Sequence, residues 1–202
     1  MSALSPELAG QTARVPNRAQ EAPIAQAVAN NIADGDTRKF ASARKASFSP
    51  GHVEYVTGKV VGVHDGDSLT VLTENNSELI VRLEGIDAPE LKQPFGNSSK
   101  HALSDLVFGK AVRVKITGTD IYRRTLGNVF VDRNWVNLSL VQGGFAWHFT
   151  KYSSDVRLRD AELNARNAHV GLWNDSLPVP PWEWRKASKT ASAIKNLKTS
   201  KN

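Results

Sequence analysis

The amino-acid sequence predicts one small α+β domain, with five short strands and with helices between and after them. Several short runs alternate apolar and polar residues, which is the period of a half-buried strand. Other stretches repeat apolar residues three and four positions apart, which is the period of a helix that packs one face on a core. Polar or glycine-rich turns separate these segments. From this pattern alone, a closed five-stranded barrel is one option among several.

The strands and helices follow one another along the chain with recognisable start and stop signals. Strands are predicted over residues 55–63, 69–72, 79–83, 111–116 and 126–131. Helices are predicted over residues 96–108, 136–142 and 154–169. In the last helix, Ser154 is the expected N-cap and Gly171 is the expected terminator. Five apolar side chains form its expected inner face: Val156, Leu158, Ala161, Leu163 and Ala165.

The composition divides the chain into a central domain and two tails. Residues 1–51 are predicted to be disordered or weakly helical, residues 52–186 to form the domain, and residues 187–202 to be a basic disordered tail. The net charge of +6 lies in the tails, because the central part has sixteen basic and sixteen acidic side chains. Net charge therefore says little about the partner of the domain. The absence of cysteine excludes disulfides and thiolate zinc sites.

Two acidic clusters lie at the ends of the second and third predicted strands. Asp65 and Asp67 precede the second strand, and Asp87 and Glu90 follow the third. In an antiparallel pair joined by a short turn, these two ends are neighbours, so we expect the four carboxylates to meet. Their mutual repulsion is costly unless a cation lies among them. The similar Asp-Gly-Asp sequence at residues 34–36 lacks flanking strands and is predicted to be a plain polar turn.

Arg82 and Pro89 add to this cluster. Side chains alternate across a strand, so Arg82 points away from the core near the end of the third strand. An arginine beside a carboxylate-bound metal is suited to holding a phosphate diester. Pro89 forces Ala88 to be extended and makes the acidic loop rigid. Carboxylate and carbonyl oxygens suit Ca²⁺ or Mg²⁺ and argue against zinc or copper.

Together these segments closely resemble the staphylococcal nuclease (thermonuclease-like) family. The resemblance covers roughly residues 53–186 and is carried by Asp-Gly-Asp at 65–67, Arg-Leu-Glu-Gly-Ile-Asp-Ala-Pro-Glu at 82–90, Asp-Ile-Tyr-Arg-Arg at 120–124, Val136-Asn137 to Trp147, and Gly-Leu-Trp at 171–173. Each piece alone is weak, but the combination of spacings is specific. The resemblance implies a five-stranded β-barrel of the oligonucleotide-binding (OB) type with three α-helices packed against it.

The resemblance also implies a cofactor and its ligands. It implies Ca²⁺, with Asp67 and Asp87 as direct carboxylate ligands. Threonine often stands in the family where this chain has Ala88, but a backbone carbonyl is the expected ligand there, so alanine should serve. Asp65 and Glu90 would not bind the cation directly but would contact its ligands or reach it through water.

For catalysis, the resemblance implies that Arg82 and Arg124 clamp the phosphate while a water oriented or deprotonated by Glu90 attacks phosphorus in line. The products would be 3′-phosphates and 5′-hydroxyls. Arg123 stands where the family usually has glycine, so Arg123 is the alternative candidate for the functional arginine. Tyr122 and Tyr152 would stack on or hydrogen-bond to the substrate.

Lys151 is a further candidate for phosphate contact, with an ordinary surface role as the alternative. The expected partners are DNA and RNA, read with little base specificity, and the protein is expected to be a monomer. The alternative function is a catalytically inactive OB-fold module that only binds nucleic acid.

The first twenty residues have no signal-peptide pattern, and no stretch reaches the length of a membrane span. We therefore expect a cytoplasmic location by default, with export possible from the resemblance.

Overall fold

Eight strands form the β-structure of residues 54–199, the part of the chain described by the structure, which is a computed structural model. They are β1 (Tyr55–Val63), β2 (Ser68–Thr73), β3 (Glu78–Leu83), β4 (Ile86–Asp87), β5 (Ala111–Thr119), β6 (Thr125–Val131), β7 (Asn134–Trp135) and β8 (Trp147–His148). The five predicted strands are confirmed as β1, β2, β3, β5 and β6. The three remaining strands have two residues each, too few for a sequence period to reveal.

The five longer strands close into a barrel. Strands β3, β2, β1, β5 and β6 are antiparallel neighbours in that order, and β3 pairs with β6 in parallel to complete the ring. The expected five-stranded OB-type barrel is therefore confirmed. The closing pair sets Arg82 opposite Leu126, which brings the end of β3 beside the start of β6. Strand β7 extends the sheet beyond β6, and β4 pairs separately with β8.

Alternation along the strands builds the core. In β3, Val81 and Leu83 are buried, whereas Ile80, which directly precedes Val81, is 48% exposed. Gly58 in β1 is required by close packing, because a Cβ atom there would lie 2.4 Å from the carbonyl oxygen of Leu72. The core thus fills the barrel interior, and the side chains of the outward face are left free for other contacts.

Four α-helices are present in the described part of the chain, one more than the three expected. They are α1 (Gly96–Val107), α2 (Val136–Gln142), α3 (Val156–Asn167) and α4 (Pro181–Thr199). The prediction of Ser154 as the cap of the third helix is wrong, because Asp155 is the N-cap and accepts from the backbone N–H of Arg157. Leu158, Ala161 and Ala165 are buried as expected. The two other apolar residues of the predicted inner face are exposed: Val156 and Leu163.

The C-terminal segment differs from the prediction of a disordered tail after residue 186. Helix α4 runs from Pro181 to Thr199, so the predicted boundary falls inside a helix. Its start is held by aromatic packing: the Trp182 ring stacks on Phe149 with ring centroids 5.3 Å apart and meets Trp147 edge-on at 5.6 Å. The predicted N-terminal tail and the Asp-Gly-Asp sequence at residues 34–36 lie outside the described residues. No helix between residues 54 and 199 is both long and apolar enough to span a membrane.

Candidate active site

The β2–β3 hairpin brings the acidic clusters together. Its register pairs Ser68 with Arg82, so the residue before β2 lies beside the end of β3. The backbone continues the contact, because the N–H of Leu83 donates to the carbonyl oxygen of Asp67 at 2.8 Å. Asp67 therefore lies beside the end of β3, as the turn length predicts, but within residues 54–199 the four carboxylates do not gather into one metal-binding cluster.

Arg82 bridges the two carboxylates that were predicted to be metal ligands. Its Nη2 atom lies 3.0 Å from Oδ2 of Asp67 and 2.9 Å from Oδ1 of Asp87. Its Nη1 atom donates to the carbonyl oxygens of Leu83 and Ile86 at 2.8 and 2.9 Å. Three hydrogen bonds and the ion pair with Asp67 fix the guanidinium plane, and the Nε–H donates to no acceptor among the described residues.

The Asp67 carboxylate is buried, and its ion pair with Arg82 only partly offsets the cost of burying its charge. Burial raises its pKa to about 7, with Asp65 and Asp87 adding to the rise, while Arg82 and the Ala88 N–H oppose it. Its Oδ2 accepts the N–H of Ala88 at 2.7 Å, and its Oδ1 accepts the hydroxyl of Ser68 at 3.2 Å. A cation beside Asp67 would favour the ionised form that these two donors are placed to bind.

The turn that carries Asp67 is tightly packed. Asp65 Oδ1 accepts the backbone N–H of Asp67 at 3.0 Å, which shapes the turn and keeps Asp65 next to the buried carboxylate. A Cβ atom on Gly66 would lie 2.6 Å from the Cβ atoms of Ala88 and Ser99. Glycine is therefore needed for the close approach between the two acidic loops.

Glu90 reaches the cluster through a residue that the sequence analysis did not identify. Arg185, in helix α4, donates from Nη1 to Oε1 of Glu90 at 2.7 Å and to Oδ1 of Asp87 at 3.1 Å, and from Nη2 to Oδ2 of Asp87 at 2.7 Å. Burial tends to lower the pKa of Arg185, but the bonds to Asp87 and Glu90 outweigh it and raise that pKa. Arg185 therefore stays charged between the two acids.

Arg124 approaches Asp67 from the other side. Its Nε donates to Oδ2 of Asp120 at 2.7 Å, and its Nη1 lies 3.4 Å from Oγ of Ser68, whose hydroxyl in turn donates to Asp67. Burial tends to raise the pKa of Asp120, but hydrogen bonds from Arg124 and from the Tyr122 N–H hold it below its usual value. Arg124 is thus oriented toward the carboxylates by an ionised partner.

The Arg123 position keeps the turn geometry expected of glycine. Arg123 has φ of 63°, in the left-handed region that glycine adopts most readily. Its N–H donates to the carbonyl oxygen of Asp120 at 3.0 Å, and the Asp120 N–H donates to that of Arg124 at 3.0 Å. The turn is therefore intact with arginine at position 123, and the Arg124 side chain faces Ser68. Which of the two arginines is functional stays a prediction.

The three predicted substrate-binding residues lie outside the carboxylate cluster. The Tyr122 side chain is 72% exposed, with the Arg124 guanidinium 5.6 Å from its ring centroid. Tyr152 is 65% exposed, and the ammonium group of Lys151 lies 5.0 Å from its ring centroid. Each ring is thus exposed but has a cationic side chain over it, and the substrate roles of the three residues stay predictions.

The donors gathered in the two acidic loops fit a hard divalent cation in charge and in chemistry. Arg82 and Arg185 pair with three carboxylates, those of Asp67, Asp87 and Glu90, and Asp65 lies next to Asp67, so acidic side chains outnumber basic ones here. Within residues 54–199 no three His, Asp or Glu side chains converge into a metal-binding cluster. Because Ca²⁺ takes several of its oxygen ligands from carbonyls and waters, the carboxylates of Asp67 and Asp87 remain compatible with one.

Sequence reasoning missed Arg185, Ser68 and Asp120 as parts of the site. Asp120 belonged to a quoted motif, four residues before Arg124, and Ser68 directly follows Asp67; these positions were the available signals. Arg185 offered none, because 95 residues separate it from Glu90.

Comparison with known proteins agrees with this geometry. A family model described as staphylococcal nuclease homologue matches residues 80–175, a range that includes Arg82, Asp87, Glu90 and Arg124. An uncharacterized endonuclease of Haemophilus influenzae is 45% identical over 138 residues, which are 68% of this chain and 78% of that protein. A micrococcal nuclease of Shigella flexneri is 38% identical over 146 residues, with 67% and 83% covered. An uncharacterized endonuclease of Escherichia coli is 41% identical over 131 residues, with 64% and 85% covered.

These relatives are matched over most of their own length, and the family model spans Arg82, Arg124 and the second acidic cluster. The closed barrel and the arrangement of the acidic loops at one end of the β2–β3 hairpin are what the sequence resemblance implied. The chain therefore belongs to the staphylococcal nuclease family.

Proposed function

We propose that this protein is a Ca²⁺-dependent endonuclease that hydrolyses phosphodiester bonds of DNA and RNA. The observation that carries the proposal is the Arg82 bridge, in which one nitrogen lies within 3.0 Å of both Asp67 and Asp87. Two buried carboxylates held 2.9–3.0 Å from a side chain of the phosphate-binding type would provide a site for a cation and a phosphate together. Nuclease relatives of similar length support the same conclusion.

Asp67 and Asp87 would hold the cation directly, with the carbonyl oxygen of Ala88, and Asp65 would support Asp67 from the turn. A bound Ca²⁺ would polarise the phosphate and offset its charge. The raised pKa of Asp67 supports this assignment, since its ion pair with Arg82 only partly offsets the cost of burial and a cation beside it would favour the ionised form.

Arg82 and Arg124 would bind the phosphate group from two directions. The Nε–H of Arg82 and the terminal nitrogens of Arg124 are the donors available for phosphate oxygens. The negative charge on these oxygens grows as the attacking oxygen adds to phosphorus. Fixed guanidiniums therefore lower the energy of the transition state more than that of the bound substrate.

Glu90 would orient the attacking water and accept its proton. Its side chain is 41% exposed and lies on the solvent side of Asp87, so a water molecule has access to it. In-line attack would break the bond between phosphorus and the 5′ oxygen, leaving a 3′-phosphate and a 5′-hydroxyl. Tyr122, Tyr152 and Lys151 would contact the flanking nucleotides, and base identity should matter little because the site binds the backbone.

A cleavage assay on plasmid DNA and on a single-stranded RNA tests this proposal. We expect cleavage with added Ca²⁺, none with excess chelator, and none with Zn²⁺ in place of Ca²⁺. Titration of Ca²⁺ into the protein by calorimetry provides a readout independent of turnover. Cleavage that is unchanged in chelator would reject the Ca²⁺ requirement, and nucleic-acid binding without cleavage under any of these conditions would indicate the inactive binding module instead.

A further inference from the structure

Helix α4 contributes a third arginine, Arg185, to the site. Arg185 lies in the first turns of α4, which begins at Pro181, and it binds both carboxylate oxygens of Asp87 and one of Glu90. This forked geometry matches a guanidinium better than an ammonium. The Arg185 side chain is 38% exposed, so it lies at the mouth of the site and not beneath it.

The backbone of Glu90 is fixed independently of Arg185. The Glu90 N–H donates to Oε1 of Gln93 at 3.1 Å, and Nε2 of Gln93 donates to the carbonyl oxygen of Val179 at 2.6 Å, just before α4. A Cβ atom on Gly96 would lie 1.9 Å from the carbonyl oxygen of Glu90, so the start of α1 also presses against this loop. The loop is thus held between α1 and the segment that leads into α4.

The carboxylate of Glu90 is held differently from its backbone. Among the described residues, its hydrogen bonds come from Arg185 alone. A glutamate side chain has three rotatable bonds, so without the bond to Arg185 the Glu90 carboxylate could adopt many positions in solvent. The position of the Glu90 carboxylate relative to Asp87 therefore depends on Arg185, because one guanidinium binds both side chains.

We propose that Arg185 is a positioning residue of the nuclease reaction, which holds the Glu90 carboxylate at a fixed place beside Asp87. This inference rests on the function proposed above, in which Glu90 orients the attacking water. Side chains that fix a catalytic group in this way typically affect turnover by about 10- to 100-fold when they are removed. The C-terminal helix would then belong to the active site as well as to the fold.

Steady-state kinetics on a short oligonucleotide with Ca²⁺ test this proposal, with the unaltered protein in the same assay. For Arg185→Ala we expect kcat to fall by about 10- to 100-fold with little change in KM. Arg185→Lys should recover part of the loss, because one ammonium can contact Glu90 but cannot match the fork. Lys186→Ala is the matched control: it removes a neighbouring positive charge from an exposed position of the same helix and should leave kcat unchanged.

A double-mutant cycle separates positioning from a purely structural role. If Arg185 acts through Glu90, Arg185→Ala should have little further effect on kcat in a Glu90→Gln background. Equal losses in both backgrounds, or an Arg185→Ala enzyme with undiminished kcat, would overturn the proposal. If Arg185→Ala does not fold, the same cycle with Arg185→Lys decides, with melting temperatures establishing the folded fraction. Absence of cleavage by the unaltered protein would instead reject the proposed function itself.

Discussion

The backbone N–H of Ala88 donates a 2.7 Å hydrogen bond to Oδ2 of Asp67, across 21 residues of sequence. This bond joins the two acidic loops directly and fixes the distance between their carboxylates more firmly than the side chains alone would. The position of Asp67 is thus determined by the hairpin register and by a main-chain donor. Replacement of its charge should therefore leave the loop in place.

The first prediction concerns that charge. Asp67→Asn should lower Ca²⁺-dependent cleavage by about 10²-fold, the order of the loss of one charge-stabilising group. The melting temperature should change little, because a neutral side chain of the same shape still accepts from Ala88 and relieves repulsion from Asp65 and Asp87. The measurements are initial cleavage rates and thermal unfolding, with Asp36→Asn in the other Asp-Gly-Asp sequence as control. Loss of activity in the control but not in Asp67→Asn would mean that the wrong turn was assigned.

A second prediction distinguishes the two neighbouring arginines. Arg124→Ala should lower kcat by about 10²- to 10³-fold, because Arg124 is held by Asp120 and faces Ser68 at the site. Arg123→Ala should mainly raise KM and weaken the salt dependence, as expected for a basic residue that only attracts substrate. Kinetics at two salt concentrations separate these effects. A large kcat loss confined to Arg123→Ala would show that the assignment is displaced by one residue.

The third prediction follows from the left-handed conformation of Arg123. Residues with a Cβ atom pay about 1 kcal/mol or more to adopt this conformation, whereas glycine does not. Arg123→Gly should therefore raise the free energy of unfolding by about 1 kcal/mol, while Arg123→Ala should not. Chemical denaturation of the two variants measures the difference. Equal stabilities would indicate that φ of 63° carries no strain at this turn.

The fourth prediction concerns the cap of helix α3. The hydrogen bond from the Arg157 side chain, only partly opposed by burial, lowers the pKa of Asp155 below its usual 3.8. A lowered pKa means that the cap stabilises the fold above pH ~4 and that this contribution is lost as pH falls through the folded-state pKa. Asp155→Ala should cost about 1 kcal/mol at neutral pH, and less in acid.

Thermal unfolding as a function of pH measures the effect of the cap, and Ser154→Ala is its matched control. Ser154 is the exposed neighbour that the sequence favoured, and its replacement should change the melting temperature little at any pH. A larger loss in Ser154→Ala than in Asp155→Ala would contradict the assignment of the cap. A loss in Asp155→Ala that is the same at neutral and acid pH would contradict the role of its charge.

Much of the barrel could be predicted because its strands carry their own signals. Val81 and Leu83 alternate with outward residues, and the short polar turn before them sets the register that places Asp67 beside Arg82. The part of the site that lies on the β2–β3 hairpin could be predicted for the same reason. The contact of Arg124 with Ser68 follows from closure of the barrel, which the family resemblance implied but the residue pattern left open.

Other features depend on choices that local sequence does not decide. Ser154 and Asp155 are adjacent and both suit an N-cap, so the helix start is fixed by which backbone angles the preceding loop allows. The lysine-rich segment after Lys186 has the composition of a tail, yet it continues a helix whose start is anchored by Trp182. Arg185 meets Glu90 only because that anchoring sets the direction of the helix.

The parallel closure between β3 and β6 has a consequence for folding. Arg82 and Arg124 belong to segments that become neighbours only when Arg82 pairs with Leu126, which is the step that converts an open sheet into a barrel. Hairpin contacts between β2 and β3 are local and form early, whereas this pairing must first overcome the entropy of closing a long loop. A refolding chain would hold the acidic loops together well before it has both arginines in place. The proposed phosphate clamp of Arg82 and Arg124 should therefore be complete only after the barrel has closed, so that a partly folded chain has the acidic loops without the clamp.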